Sequence, residues 1–407
     1  MVKKLSKVVI VGGGVSGLFA GIYASSSKNE VIILEKMEKL GKKILVTGNG
    51  RCNFWNEDIS FSHYNSECKE LLKDIITLEN KNKVLSFFDS VNLVPYIKNG
   101  YYYPYSKEAS TVREILLREV SNRNVKIVND CKVQTIVKKN DKFIINDKIV
   151  CDKVIIATGS LAYYKDKDLK TGYDIAKSFG HKIEKLLPSL VQLVVKNDDN
   201  LLKMWKNVRC EAIVSLICNN EKLKEEKGEL MLTDYGLSGI CIFNLSTIAT
   251  RLLSDRKKVF VSINFAPWCD DFLGYFTSSI KKFDSFSIYT FLQGILHSKI
   301  IDIVLERTKI NKDRKLGSLS NIEVKEIVNC ITSLKVEIKC TKSFEFSQTT
   351  AGGVSLSEIN LKNMESKLVK NLFFAGEVVD VDGECGGFNL AFAFISGLLA
   401  GSGCLSD

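Results

Sequence analysis

The sequence predicts an α/β fold in which both chain ends build one Rossmann-like dinucleotide-binding domain around an insert. A βαβ pattern containing Gly12-x-Gly14-x-x-Gly17 opens the 407-residue chain, and a buried strand, a glycine cluster and an apolar helix close it. Between about residue 190 and residue 331, short alternating segments and then helical periodicity replace this pattern, without a glycine-rich phosphate loop. The glycines that suit a nucleotide site therefore lie near the two termini.

The composition is that of a folded protein with a large core. Apolar residues make up 45% of the chain and charged residues 26%, which excludes a disordered chain because such chains lack apolar surface to offset chain entropy. The formal charge of +10 comes mainly from lysines scattered in small pairs, without a basic stripe. We therefore expect a small-molecule substrate and no nucleic-acid partner, and the oligomeric state stays open.

Cysteine usage and the N-terminus bear on the compartment. The 12 cysteines include no Cys-x-x-Cys pair, so we expect reduced thiols, no metal site and a cytoplasmic protein. Lysines before the apolar run 8–24 resemble the start of a signal peptide, but the glycines within that run would weaken a short apolar helix. No stretch reaches about 18 uninterrupted apolar residues, so no membrane partner is expected.

Hydrophobic periodicity predicts the elements along the chain. Ser106 is expected to cap a helix whose apolar face carries Val112, Ile115 and Leu116. The expected strands cover 7–11, 30–35, 125–128, 131–138, 142–146, 154–159, 191–195, 212–218, 229–232, 259–264 and 371–375. The expected helices cover 14–27, 66–90, 107–121, 288–305, 322–331 and 388–401.

These elements predict three parts. The cofactor domain is expected from residues 1–190 and 346–407. Alternating segments in 191–268 and 332–345 indicate an antiparallel sheet or small barrel, and 269–331 form a helical insert.

The N-terminal glycine motif indicates a dinucleotide site. Gly12 permits the tight turn, Gly14 lets the backbone approach a pyrophosphate, and Gly17 lets the helix pack on the strand. The helix N-terminus offers amide donors and partial positive charge to the phosphates. Glu35, which ends the next strand, suits the hydroxyls of an adenosine ribose.

A second half-site near the C-terminus favours FAD as the dinucleotide. Gly376-Glu377 ends a buried strand, and Glu377 suits the ribityl hydroxyls of an extended FAD. The amides of Gly386, Gly387 and Phe388 open the last helix and would face the flavin N1/O2 edge, which becomes anionic on reduction. The alternative is that Glu377 only caps that helix.

A third motif spans residues 42–53, between the two half-sites along the chain. Gly48 and Gly50 permit close backbone approach. Arg51 suits a pyrophosphate or a substrate carboxylate, and Asn53 suits the flavin rim. Cys52 beside Arg51 is either an activated thiol or a buried small residue, and we favour the buried residue.

The chain resembles the YhiN/BaiN-type flavoproteins, a family of NAD(P)/FAD-dependent and aminoacetone oxidase-like oxidoreductases, some of which reduce 3-oxo-Δ4,6 bile-acid intermediates. The resemblance is nearly end to end and implies an FAD-binding Rossmann-like domain interrupted by a β-barrel and a helical subdomain. The segments that carry it are the N-terminal glycine motif, 47–53, 100–105, 157–159, 180–181, 188–190, 228–239, 350–354, 364–367 and 376–389. Ser160, the lysine-rich 161–170 and Cys385 depart from the family pattern.

Together, motifs and resemblance predict the cofactor-binding residues. They are Gly12, Gly14, Val15, Ser16, Gly17, Glu35, Lys36, Lys43, Thr47, Gly48, Gly50, Arg51, Cys52, Asn53, Val133, Ala157, Thr158, Gly159, Gly376, Glu377, Asp380, Gly386, Gly387, Phe388 and Asn389.

The leading functional hypothesis is a reductase in which NAD(P)H, as a transient electron donor, reduces FAD, and FAD reduces an activated C=C of an enone-like substrate. An amine or aminoketone oxidase using oxygen, and a flavin-containing RNA-binding or RNA-modifying protein, are the alternatives. No catalytic residue is assigned. His181 and His297 are expected to be structural, and the tyrosines of 101–105 are either proton donors or, for at least two of them, core aromatics.

Overall fold

The structure is a computed structural model that describes residues 5–163, 171–196 and 201–405. Its contacts define two compact units: one contains the chain up to Leu187 and from Thr349 onward, and the other contains Pro188–Gln348. The sequence placed these boundaries at 190/191 and 345/346. Within the described ranges, each helix is too short or too polar to cross a lipid bilayer.

The described strands, β1 to β23 in chain order, are Ser6–Val11, Asn29–Leu34, Trp55–Asn56, Tyr64–Asn65, Pro95–Lys98, Tyr101–Pro104, Lys126–Val128, Ile136–Lys139, Lys142–Ile145, Ile149–Cys151, Lys153–Ile156, Leu187–Ser189, Leu193–Val195, Val208–Cys218, Glu221–Leu232, Gly236–Ser238, Val259–Asn264, Leu334–Thr341, Thr349–Ala351, Ile359–Asn360, Glu365–Ser366, Leu372–Phe374 and Asp382–Gly383. The described helices, α1 to α11, are Val15–Ala24, Leu78–Ser90, Ala109–Asn122, Thr171–Ser178, Leu201–Trp205, Ile240–Ser254, Phe272–Lys282, Ile288–Gln293, Ser298–Thr308, Asn321–Thr332 and Phe388–Gly403.

A seven-stranded sheet of order β20-β21-β22-β11-β1-β2-β7 forms the first unit's centre. The five strands from β22 to β7 run parallel, so their carboxyl ends lie at one edge. Strands β1 and β22 come from opposite ends of the chain and both pair with β11. The prediction of one Rossmann-like domain built from both chain ends is confirmed.

Helices α1 and α11 pack closely through glycines. A Cβ on Gly397 would lie 2.6 Å from the Ser16 carbonyl oxygen, and one on Gly401 would lie 2.4 Å from the Ala20 carbonyl oxygen. Both helices are buried almost all round, which explains their unbroken apolar sequences. The N-terminal run that resembles a signal peptide is therefore a core strand and a core helix.

Several predicted elements differ from the structure. Helix α3 begins at Ala109, and Ser106 does not cap it but bonds the Thr111 hydroxyl at 2.6 Å. The expected helix over 66–90 is a 3₁₀ segment followed by α2, which Thr77 caps. The expected strand over 131–138 is reduced to β8, and the helix over 288–305 breaks after Gln293 into α8 and α9.

The second unit contains a closed barrel of order β13-β16-β15-β14-β17-β18. In strand Val259–Asn264, for example, buried residues alternate with half-buried ones. Helices α7 to α10 contribute to the same hydrophobic cluster as the barrel strands. The predicted β-barrel and helical subdomain are confirmed.

Candidate functional site

The loops that follow β1, β2, β11 and β22 meet at the carboxyl edge of the parallel sheet. Parallel open sheets bind their ligands at this edge. The amide of Gly12 donates to the Leu34 carbonyl at 2.8 Å, and the amide of Ala157 donates to the Val11 carbonyl at 2.8 Å. The glycine motif, the Glu35 segment and Ala157–Gly159 are thereby brought together.

The three glycines of the first motif have different reasons to be glycine. A Cβ on Gly12 would lie 2.3 Å from the Ala157 carbonyl oxygen, and one on Gly17 would lie 1.9 Å from the Gly12 carbonyl oxygen. Packing therefore requires both. A Cβ on Gly14 would meet no atom within 4 Å, and the backbone there is extended, with φ −77°.

The open space at Gly14 indicates whether a dinucleotide can fit against this turn. It lies at the N-terminus of α1, where amides without intrahelical partners and the helix dipole favour an anion. Nothing in the described protein demands glycine at position 14, whereas close approach of a phosphate does. The glycine turn therefore fits a pyrophosphate.

The Glu35 carboxylate bonds to backbone amides of the same turn and of the segment that follows β2. Its Oε2 accepts from the Gly13 amide at 2.7 Å, and its Oε1 accepts from the Met37 amide at 2.9 Å. An ionised carboxylate has about four acceptor sites, so two more remain for ribose hydroxyls. The loop carrying Val133 lies alongside, because the Cys131 amide donates to the Glu35 carbonyl at 2.8 Å.

Residues 42–50 form a 3₁₀ segment with a kink at Thr47–Asn49. The Thr47 hydroxyl donates to the Ile44 carbonyl at 2.6 Å and steadies this kink. Cys52 follows, fully buried, and burial raises the pKa of its thiol to about 12. Cys52 is thus the buried small residue favoured above, not an activated nucleophile. Arg51 beside it is exposed.

The Asn53 side chain bonds to backbone atoms of two neighbouring segments. With the amide oriented to satisfy both its groups, its nitrogen donates to Trp55 O at 3.0 Å and its oxygen accepts from the Gly387 amide at 3.2 Å. Contact of this side chain with the flavin rim stays a prediction, and the structure shows that the backbone engages both ends of the amide. These bonds tie the third motif to the C-terminal glycine turn.

The Glu377 carboxylate contacts residues from three distant parts of the chain. Its Oε2 lies 2.6 Å from Lys43 Nζ and accepts from the Ser160 hydroxyl at 3.3 Å. Its Oε1 accepts from the Thr349 hydroxyl at 3.2 Å. Glu377 does not simply cap the last helix, and its carboxylate lies where the loops after β11 and β22 meet.

The N-terminal glycine motif also contacts the segment just before Glu377. The Ser16 hydroxyl donates to the Ala375 carbonyl at 3.3 Å, and a Cβ on Gly376 would lie 2.4 Å from Ser16 Oγ. On the neighbouring loop, Thr158 packs so closely on Gly172 that a Cβ there would lie 2.0 Å from Thr158 Oγ1. These residues position the turn backbone.

The C-terminal glycine turn is held by its own polar side chains. Asn389 accepts from the Gly383 amide at 2.8 Å and donates to the Gly383 carbonyl at 2.9 Å. Asp380 is buried, and its Oδ2 accepts from the Ser66 hydroxyl at 3.0 Å and the Glu67 amide at 2.8 Å. Both side chains were predicted as cofactor ligands, and both support the loop backbone.

Helix α11 begins directly after this turn. Gly387 has φ +93°, and a Cβ there would lie 2.5 Å from the Trp55 carbonyl oxygen. The 16-residue helix starts at Phe388 without a capping side chain. Its N-terminus therefore presents amides and positive dipole beside Gly386 and Gly387, as an anionic flavin edge would need.

Sequence reasoning missed His63. Its Nδ1 lies 2.8 Å from Glu384 Oε2, its Nε2 lies 3.0 Å from Asp58 Oδ2, and its ring stacks on Phe388 at 4.5 Å. Burial lowers its pKa, but the hydrogen bonds to the two carboxylates outweigh burial and the net pKa is raised. Glu384 lies 321 positions away, so no local pattern signals this pair.

The other histidines and the tyrosine run have structural surroundings. His181 is buried between Glu358 at 3.0 Å and Ser366 at 2.8 Å, and His297 caps α9. Tyr101–Tyr103 are half-buried in β6, and Tyr105 is exposed. The expectation that at least two of these tyrosines are core aromatics is therefore wrong. Strand β6 belongs to a small three-stranded sheet and not to the central seven-stranded sheet.

Lys36 lies half-buried after Glu35. Of the segment after Gly159 that departs from the family, residues 164–170 lie outside the described part of the chain. Within residues 5–163, 171–196 and 201–405, no three His, Cys, Asp or Glu side chains form a group that could hold a metal.

The sheet edge, with its two glycine-bounded helix N-termini and the carboxylates Glu35 and Glu377, is that of an FAD-dependent oxidoreductase. The family model described as HI0933-like protein Rossmann domain matches residues 6–403, and the chain belongs to this family. The resemblance to the YhiN/BaiN-type flavoproteins is confirmed.

Two relatives and one solved structure are similar to this chain. The chain is 33% identical to a 3-dehydro-bile acid Δ(4,6)-reductase of Clostridium scindens, over 98% of both chains. It is 26% identical to a ribosomal RNA dihydrouridine synthase of Haemophilus influenzae, over 96% of both chains. Among solved structures, a 3-ketosteroid-Δ4-(5α)-dehydrogenase from Rhodococcus jostii RHA1 is 13% identical, with a TM-score of 0.49 over 100% of this chain and 99% of that one.

Proposed function

We propose that this protein catalyses the NAD(P)H-driven reduction of a C=C bond conjugated to a carbonyl group in an enone-like small molecule. The observation that carries the proposal is the 33% identity, over 98% of both chains, to a 3-dehydro-bile acid Δ(4,6)-reductase. The reduced bond of such a substrate is polarised by the carbonyl, so its β-carbon accepts a hydride and its α-carbon accepts a proton.

The residues at the sheet edge fit FAD in an extended conformation. The turn at Gly14 would hold the pyrophosphate, Glu35 the adenosine ribose, and Glu377 the ribityl hydroxyls. When bound, FAD supplies the hydride exchange between nicotinamide and substrate.

The N-terminus of α11 would make reduction easier. When FAD is bound, the amides and helix dipole beside Gly386 and Gly387 would stabilise negative charge on the reduced flavin. His63, stacked on Phe388 and bonded to Glu384, holds this turn in place. The nicotinamide donor binds transiently, since no second GxGxxG follows residue 36.

An anaerobic titration tests the proposal. The purified protein should carry FAD, and NADH or NADPH should bleach its flavin band without oxygen. A panel of cyclic enones should then restore the band with formation of the saturated ketone. Steady peroxide production from an amine without nicotinamide would contradict the proposal and favour the amine or aminoketone oxidase.

A second candidate substrate is uridine in ribosomal RNA. Dihydrouridine synthases of Haemophilus influenzae and Escherichia coli are each 26% identical to this chain, and the +10 charge suits a polyanion. The uridine C5=C6 bond is also conjugated to a carbonyl, so the same hydride and proton transfers apply. NAD(P)H-dependent dihydrouridine formation in ribosomal RNA, with no turnover of enones, would favour this candidate.

We also propose the cytoplasm as the compartment. All 12 cysteines are free, as reducing conditions would keep them.

A further inference from the structure

A group of reactive side chains lies around Glu377 and Tyr163. Its members are Tyr163, Ser160, Cys385 and Lys43, and Ser160 and Lys43 both contact Glu377 Oε2. Lys43 Nζ lies 5.7 Å from the centre of the Tyr163 ring and 2.6 Å from Glu377 Oε2. A phenol with a perturbed pKa beside a cofactor site is a candidate for acid–base chemistry.

The backbone of Tyr163 is unusual. Its φ is +68°, in the left-handed region that glycine adopts freely and bulky residues rarely adopt. Strained residues of this kind persist only where their surroundings hold them, and they concentrate at functional sites. The side chain is 44% exposed, so part of the phenol remains accessible to a bound molecule.

The Tyr163 phenol is protonated at neutral pH. Burial is the main cause that raises the pKa of this phenol, and the charges of Glu377 and Cys385 raise it further. Donation of its proton therefore requires a nearby positive charge that stabilises the phenolate. A phenolate formed by donation would find the Lys43 ammonium beside its ring.

We propose that Tyr163 is the proton donor of the reduction, an inference that rests on the proposed function. As the substrate β-carbon accepts a hydride, the electron pair of the C=C bond moves to the α-carbon. The Tyr163 O–H bond breaks and its proton forms the new C–H bond at that carbon. Water then reprotonates the phenolate, so each turnover consumes one NAD(P)H and one proton.

The test separates the two half-reactions of the full-length holoprotein by anaerobic stopped flow. In Tyr163→Phe, reduction of the flavin band by NAD(P)H should stay within about twofold of wild type. Its reoxidation by a 3-oxo-Δ4,6 steroid should slow by about 100-fold or more, as loss of a general acid does. Reoxidation by ferricyanide, which needs no proton donor, should be unchanged.

Tyr96→Phe is the matched control. Tyr96 is also half-buried and also lies beside a lysine, with Lys107 Nζ 4.4 Å from its ring centre, but it belongs to β5. The flavin of Tyr96→Phe should be reoxidised by the steroid as fast as the flavin of the wild type. FAD content and thermal unfolding of Tyr163→Phe should match wild type, which a merely structural role would not predict.

A measurement on the wild-type protein is independent of the variant's folding. In D₂O, reoxidation by the steroid should slow and the product should carry one deuterium at the α-carbon, on a single face. Normal reoxidation of Tyr163→Phe, or a loss seen only in Cys385→Ser, would overturn the assignment to Tyr163. Failure of the wild type to reduce any enone would instead overturn the proposed function itself.

Discussion

The substitution Gly14→Ala separates cofactor binding from folding. Gly14 has φ −77° and ψ −173°, which alanine adopts without strain, and the new methyl group would meet no protein atom within 4 Å. Alanine is a poorer N-cap than glycine, by about 0.5–1 kcal/mol. It also reduces the entropy of the unfolded chain, which stabilises by about 0.4–1 kcal/mol. The free energy of unfolding of the apoprotein should therefore change by less than about 1 kcal/mol.

Binding of FAD should respond differently. The added methyl group stands in the open space before α1, where the pyrophosphate is expected to approach the backbone. Loss of one charged hydrogen bond costs about 1.5–3 kcal/mol. Because about 1.4 kcal/mol is a factor of ten in affinity, the Kd should rise about 10- to 150-fold.

The assay is titration of apoprotein with FAD, followed by flavin fluorescence, with thermal unfolding measured on the same samples. Gly17→Ala is the control, because its Cβ would lie 1.9 Å from the Gly12 carbonyl oxygen and must disturb the fold. Gly17→Ala should lower both stability and binding, whereas Gly14→Ala should lower binding alone. If Gly14→Ala bound FAD within twofold of wild type, the open space would not be the pyrophosphate site.

Three further predictions concern charge and burial. Glu377→Gln should lower the unfolding free energy of the apoprotein by no more than about 1 kcal/mol, the usual range for a partly exposed pair, yet weaken FAD binding, and equal binding would contradict its ribityl role. Because the pKa of His63 is raised, its stabilisation should be complete below the ordinary value of about 6.5 and be lost as pH rises through the folded-state pKa. The melting temperatures of wild type and His63→Gln should therefore converge at alkaline pH, and a constant difference would refute the argument. Cys52, whose pKa burial raises to about 12, should resist iodoacetamide at pH 8 while exposed Cys340 reacts, as mass spectrometry can show.

Local sequence patterns were sufficient to predict the buried parallel strands of the sheet. Short β-branched runs such as Val8–Val11 and Val154–Ile156 become buried parallel strands, because full burial on both faces demands an unbroken apolar run. Helix ends were less predictable. Ser106 has the right chemistry for a cap, but the chain turns into α3 three residues later, at Ala109.

For the candidate site, residue type and spacing predicted where the turns lie but not the role of each side chain in them. Gly12, Gly14 and Gly17 look equivalent in the sequence, yet only the structure shows that two are packing requirements and one faces open space. Asn53 and Asn389 are predicted to bind the cofactor, and the structure shows that both bond the backbone. A polar side chain beside a glycine turn can satisfy either partner, and the spacing of residues does not distinguish them.

The sequence by itself determined the class of fold, the nucleotide motif and the closure of one domain by both chain ends, because periodicity and glycine spacing are local properties. Only the tertiary structure joined Lys43 to Glu377 and His63 to Glu384. Each pair is separated by more than 300 positions, at 334 and 321 residues. Such contacts depend on which loops the parallel sheet brings to its carboxyl edge, and that order follows from strand pairing across the whole chain.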